Sequence, residues 1–384
     1  MNEYNFGLLS SLLSDVGIGT TYINPFPRSR VLAGTAKTKM ELLIDECTLS
    51  ATSLSRKLMI GNALFSLGEY AQALKMYQGN ILETPDNYES MFNAALCLTQ
   101  INRTVESVPI FNYIITQLPG FYQGYYQRGN ANDDLGNYEE ALADYSMALK
   151  LNPGYIRAEY NIAIVMAKLD RHKDAVDYFT NVIVLRPDIA NAYVNRGVSY
   201  DELGKHQMAI NDFTVALGLD PANLNAIFNK AWTEYQIGDL ETAIIDYSEL
   251  LDLSPQDAEA YNNRGLAFDA LGDYESALSD YNAALKINPM FAEVINNKGA
   301  VFENMGNIEA ALTQYLLAIR VNAEFSDSYY NAAKLYCEQG LLELAENYLN
   351  SAIQKDPSCL LEAIEDDKLG WLLDIQEIRD APAT

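Results

Sequence analysis

Apolar residues recur along this chain in short helical clusters, and the clusters repeat every 34 residues. The clearest copy runs Leu271-Gly272-Asp273-Tyr274, then Ala277, Tyr281, Ala284 and Pro289. The same spacing returns at Gly136, Tyr138, Ala141, Tyr145, Ala148 and Pro153, and again at Gly204, Ala209, Phe213, Ala216 and Pro221. Extended in both directions, the ruler marks nine copies without insertion or deletion, starting at 54, 88, 122, 156, 190, 224, 258, 292 and 326 and ending at Cys359. Numbering each copy 1 to 34, position 15 is Gly in seven copies and Asn102 or Asp170 in the others. All three residue types accept the left-handed backbone of a tight turn. Position 32 is Pro in eight copies and Ala323 in one, which ends a helix.

Between these breaks, positions 4, 8 and 11 share one face of a first helix, A, and positions 20, 24 and 27 one face of a second, B. Position 8 is always Gly or Ala, position 20 is Ala except for Ser107, and position 24 is a large ring or Leu. Small against large lets two antiparallel helices approach closely. Copy two departs from the pattern: Pro109 falls inside its B helix, which predicts a late start or a kink there.

This pattern resembles the tetratricopeptide repeat, over residues 54–359. The resemblance implies an all-α, right-handed superhelical solenoid of helix-turn-helix pairs whose A helices line a concave groove. Physics gives the same stacking, because one helix hairpin cannot bury both its faces. Residues 360–384 read as a C-terminal capping helix and short tail, with Leu361, Ile364, Leu369, Trp371, Leu372 and Ile375 as its apolar positions. Residues 1–53 form an N-terminal segment with one expected helix from about Lys37 to Leu49 and no assignable function.

Position 7 and position 23 vary together between copies. Arg128, Arg196, Lys230 and Arg264 accompany Asp144, Asp212, Asp246 and Asp280, and Lys298 accompanies Gln314. Where position 7 is Ile60, Ala94, Ile162 or Ala332, position 23 is Met76, Ile110, Tyr178 or Tyr348. Covariation among copies within one chain argues for contact, so these residues are expected to form structural ion pairs joining helices A and B.

Positions 2, 6, 9 and 13 share a face of helix A separate from the packed one. Position 6 is an amide in eight copies: Asn93, Gln127, Asn161, Asn195, Asn229, Asn263, Asn297 and Asn331. An amide offers both donor and acceptor, which matches the backbone of an extended peptide without reading its side chains. This ladder resembles the one lining the repeat domain of O-linked N-acetylglucosamine transferase. The competing reading has these amides bonding their own neighbouring helices. Tyr126, Tyr160, Phe228 and Trp232 lie beside the ladder and would grip apolar side chains.

Composition refines the partner. The chain carries 52 acidic and 26 basic side chains, net −26, which repels nucleic acid and anionic membranes. Acids gather at positions 2, 12 and 13, among them Asp133, Asp201, Asp269 and Glu303. They favour a basic, extended peptide, or else form a solvated acidic face. Cys47, Cys97, Cys337 and Cys359 form no Cys-x-x-Cys pair, and Met1–Ser14 lacks the basic start of a secretory signal, so a cytoplasmic location is expected. No apolar run spans a membrane. No phosphate loop, serine elbow or His-Glu-x-x-His motif is present, and His172 and His206 fall where other copies place turn-packing tyrosines. No enzyme, metal or cofactor is therefore expected. The chain reads as a scaffold that binds other proteins or peptides. The alternatives are a structural protein self-associating through residues 1–35, which carry Arg28 and Arg30, and an accessory subunit of a separately encoded enzyme.

Overall fold

The computed structural model describes residues 54–370 with 372 and 373. The expected helix at 37–49, the segment 1–35, Trp371 and residues 374–384 lie outside the described residues. The chain divides into two compact units, residues 1–186 and 187–384. All regular elements described are helices, and each unit stacks them as helix-turn-helix pairs.

The N-terminal unit holds α1 (Leu54–Ser66), α2 (Tyr70–Glu83), α3 (Tyr88–Gln100), α4 (Thr104–Gln117), α5 (Tyr122–Asp134), α6 (Tyr138–Leu151), α7 (Ile156–Lys168) and α8 (His172–Leu185). The C-terminal unit holds α9 (Ala190–Glu202), α10 (His206–Leu219), α11 (Leu224–Gln236), α12 (Leu240–Leu253), α13 (Ala258–Ala270), α14 (Tyr274–Ile287), α15 (Ala292–Asn304), α16 (Ile308–Val321), α17 (Ser326–Glu338), α18 (Leu342–Lys355) and α19 (Ser358–Glu365). Odd numbers up to α17 are A helices and their even partners are B helices. Each A helix packs on its own B helix and, within a unit, each B helix packs on the next A helix. Successive A helices also touch directly at α1–α3, α3–α5, α9–α11, α11–α13 and α13–α15.

The turn between A and B is the same in every pair. Position 15 takes positive φ throughout, from +81° at Gly68 to +56° at Asp170. The next N–H then reaches back to the position 11 carbonyl, as in Asp273 N to Phe268 O at 2.9 Å and Arg171 N to Met166 O at 2.9 Å. That bond satisfies a carbonyl the helix end would otherwise leave open. Asn87, Asn223 and Asp257 cap A helices, and Asp273 and Asn307 cap B helices, each accepting a backbone N–H.

The interior is built where position 24 meets position 8. Tyr77, Tyr145, Phe213, Tyr281 and Tyr315 are fully or almost fully buried, and a methyl added at Gly265 would stand 2.6 Å from Tyr281 Cε1. Of the expected 4, 8, 11 face, position 8 is buried in every repeat. The fully buried stripe of helix A also takes in positions 3 and 10, where Ala158, Ala192, Ala226, Ala260 and Val294 at one and Ala131, Ser199, Thr233, Val301 and Leu335 at the other have no exposed surface. Position 4 is only half-buried in most repeats, including Tyr193 and Tyr261. Small side chains face the neighbouring helix at closest approach, while larger ones lean over its edges.

Two local expectations need correction. Helix α4 starts at Thr104, in the same register as every other B helix, so Pro109 does not delay it. The proline sits in the second turn. The C-terminal cap is not one helix from residue 360. Helix α19 ends at Glu365, and the Asp366 side chain then accepts the N–H groups of Lys368 and Leu369, which starts a new helical turn. Leu369 and Leu372 are buried against Leu335 and Leu349.

Candidate functional site

Helices α9, α11 and α13 lie side by side in the C-terminal unit and border an open recess of about 510 Å³. Val198, Asp201 and Glu202 come from α9, Phe228, Asn229, Trp232 and Gln236 from α11, and Asn263 from α13. Phe213 of α10 adds to the lining. Periodicity explains the grouping: positions 5, 6, 9, 12 and 13 turn toward the side where A helices are neighbours.

Trp232 stacks on Tyr235 with centroids 5.5 Å apart and planes 26° apart. Phe228 stands edge-on to Tyr247 at 5.9 Å. Asp201 is held from two directions: His206 Nδ1 is 2.8 Å from Oδ1, and Gln236 Nε2 donates to Oδ2 at 3.4 Å. Neither contact exhausts the lone pairs of the carboxylate. Farther along, burial raises the pKa of the Asp269 carboxyl, against a hydrogen bond from Asn304 at 3.2 Å. Tyr315 donates to Glu303 at 2.7 Å. In the N-terminal unit Asp133 accepts from Lys168 at 2.7 Å, which neutralises that acid.

The amide ladder is partly engaged within the protein. Asn93 donates to Asn62 Oδ1 at 3.1 Å, Asn161 to Asn130 Oδ1 at 2.9 Å, Asn297 to Asn262 Oδ1 at 3.0 Å and Asn331 to Asn296 Oδ1 at 3.1 Å. Each bond joins neighbouring repeats. Asn229 instead donates to its own helix at Asn225 O, 2.7 Å away, and Asn263 accepts from Asn262 at 3.3 Å. Gln127 accepts from Asn130 at 2.9 Å, and Asn195 is half-buried. A primary amide has four hydrogen-bonding sites, so one used donor leaves capacity for a ligand.

The rings beside the ladder serve the interior more than expected. Tyr126 is 3% exposed, packs edge-on to Tyr155 at 4.9 Å and accepts from Asn161, so it is not a groove wall. Tyr160 packs edge-on to Phe179 at 5.7 Å and remains half-buried. Position 5 leans over the position 24 ring of its own repeat, and this contact draws it inward.

The position 7 and position 23 side chains meet in the four Asp pairs, whereas Lys298 makes no hydrogen bond with Gln314 and turns to Asn282. Arg128 Nε is 2.9 Å from Asp144 Oδ2, Arg196 Nε is 2.7 Å from Asp212 Oδ2, Lys230 is bonded to Asp246 at 2.5 Å, and Arg264 grips both oxygens of Asp280 at 2.7 and 2.8 Å. Sequence reasoning missed a third partner. Position 7 also reaches position 25 of the preceding B helix: Arg128 to Asn112, Arg264 to Ser248 at 2.9 Å and Lys298 to Asn282 at 2.8 Å. The available signal is an Asn or Ser 16 residues before the cation. Also missed was Glu234, an acid at position 11 in the core. It is 3% exposed and 2.7 Å from Lys230, and burial pushes its pKa up to about 7. Among the described residues no group of three His, Cys, Asp or Glu is placed to hold a metal ion, and no helix is long and apolar enough to cross a membrane.

Models of the tetratricopeptide repeat match residues 58–120, 122–155, 190–223, 258–291 and 297–358, and a TPR repeat model matches 233–272. Together they cover well over half the sequence. This chain belongs to the tetratricopeptide repeat family. A curated relative is the tetratricopeptide repeat and J domain-containing co-chaperone DNJ1 of Fusarium oxysporum f. sp. lycopersici, 28% identical over 114 residues, which are 28% of this chain. The match spans only 22% of that protein's length. A tetratricopeptide repeat protein from Parabacteroides merdae shares the fold, with a TM-score of 0.53 at 19% identity over 65% of this chain and 98% of its own. A chain of the APC/C hetero-tetramer Cut9-Hcn1 aligns with a TM-score of 0.50 at 13% identity, over 88% of this chain and 81% of its own. Tetratricopeptide repeat proteins mediate protein–protein interaction, and the fold is typically a non-catalytic scaffold.

Proposed function

We propose that the A-helix face holds an extended, basic polypeptide segment and that the chain acts as a cytoplasmic, non-catalytic adaptor, with residues 54–359 as its repeat array. The observation that carries this reading is the recess of α9, α11 and α13. There an aromatic surface from Phe228 and Trp232, the amides of Asn229 and Asn263, and the carboxylates of Asp201 and Glu202 converge. Rings bind apolar stems, amides match peptide groups, and the carboxylates select positive charge. The net charge of −26 adds long-range attraction for such a partner.

Affinity purification with the wild type beside an Asn195→Ala/Asn229→Ala/Asn263→Ala variant tests the reading. Equal helicity of the two proteins by circular dichroism serves as the folding control. The variant is expected to lose partners that the wild type retains. Identical partner sets would remove the amides from binding. Light scattering with and without residues 1–35 addresses self-association: an oligomer abolished by the truncation would replace the adaptor reading with self-assembly.

A further inference from the structure

The C-terminal recess carries a charge arrangement suited to one kind of side chain. Its lining includes Asp201 and Glu202 but no Lys or Arg. Lys230 is adjacent in sequence to Asn229, yet its ammonium is engaged by Glu234 and Asp246 and contributes no free cation to the recess. The site is therefore an anionic rim beside an aromatic surface, in a volume of about 510 Å³. That volume falls within the range of about 300–1,000 Å³ typical of small-ligand sites.

Each class of side chain can be weighed against this lining. A purely apolar one would strip water from two carboxylates without replacing it. An acidic one would be repelled. A cation on an apolar stem satisfies both parts, its methylenes along the rings and its charge at the rim. Two features favour guanidinium over ammonium. The Trp232 ring, stacked on Tyr235 at an interplanar angle of 26°, offers a flat surface for a planar cation. The Asp201 carboxylate is fixed by His206 and Gln236, and a fixed carboxylate suits a planar fork with directed N–H groups.

We propose that this recess is a subsite for one arginine side chain of the bound polypeptide. The assignment rests on the groove reading above and narrows it to a residue type and a place.

The test uses the full chain with Trp371→Phe, which leaves Trp232 as its one tryptophan. N-acetyl-arginine N-methylamide is titrated while Trp232 fluorescence is followed, and its citrulline counterpart, uncharged and of nearly the same shape, serves as comparison. Saturable binding of the arginine compound is expected, with citrulline weaker by about tenfold or more, equivalent to about 1.4 kcal/mol. Added salt should weaken the arginine response. An Asp201→Asn/Glu202→Gln protein should lose the preference. Equal responses to the two compounds, or none that saturates, would overturn the subsite, whether or not the variant folds. The lysine compound binding as tightly as arginine would overturn the choice of guanidinium. These small probes have no extended backbone to engage the ladder. Failure of the groove reading therefore appears in the purification experiment, and failure of the subsite appears here.

Discussion

Replacing Arg264 with Ala tests how the repeats are held together. Asp280 is 5% exposed, and both its oxygens accept from Arg264, at 2.7 and 2.8 Å. Arg264→Ala would strand a carboxylate in the interior at a cost of about 3–5 kcal/mol. Asp280→Ala should cost less, about 1–3 kcal/mol, because the guanidinium keeps Ser248 Oγ at 2.9 Å and the rings of Tyr261 and Phe268, and its side chain is 19% exposed. The double variant loses packing but strands no charge. The two penalties should therefore fall short of additivity by at least about 1.5 kcal/mol. Repeat arrays open in parts, so one global unfolding curve is insufficient. Hydrogen exchange resolved to α13 and α14 gives the local opening energies, with urea unfolding alongside. Additivity within about 0.5 kcal/mol would refute the reasoning, since distant, independent sites behave that way.

Glu234 makes stability depend on pH. Its folded pKa, raised to about 7 by burial, lies above the ordinary value of 4.5, so the native state binds the proton more tightly than the unfolded chain. Stability should fall as pH rises from about 4.5 to 7, and Glu234→Gln should flatten that slope by about 1–3 kcal/mol; parallel melting profiles of the two proteins across pH 5–8 would contradict this. Gly265→Ala should cost about 1–2 kcal/mol, because the new methyl stands 2.6 Å from a buried Tyr281 ring and that crowding exceeds the gain in helix propensity. Gly218→Ala, which meets nothing within 4 Å, should stabilise by up to about 1 kcal/mol, and equal signs for the two changes in thermal melts would count against the packing account.

The repeat was legible because nine copies state the same rule and the exceptions are informative. Asn102 and Asp170 stand where seven glycines do, and all nine adopt positive φ. The contact of Arg264 with Asp280 was legible for the same reason, since position 23 changes character whenever position 7 does. Other features gave weaker signals. Ser199 and Thr233 are fully buried because closest approach selects for size, which a hydropathy pattern does not record. The inward turn of Tyr126 depends on Tyr155, which belongs to the linker after its own B helix. The bonds from Asn161 and Asn297 to the preceding repeat use the same atoms that would suit a ligand, so residue type alone does not separate the two uses.

The junction between the repeats starting at 258 and 292 is crossed by two polar links. Asn297 ties neighbouring A helices through Asn262, and Lys298 ties its repeat to the B helix before it through Asn282. A junction latched on both sides resists hinging, because bending either way lengthens one set of bonds. The spacing between successive amides is then set before any visitor arrives. A matching chain would lose its own freedom on docking while the receiving surface there loses little, so the rigidity of this junction favours slow release.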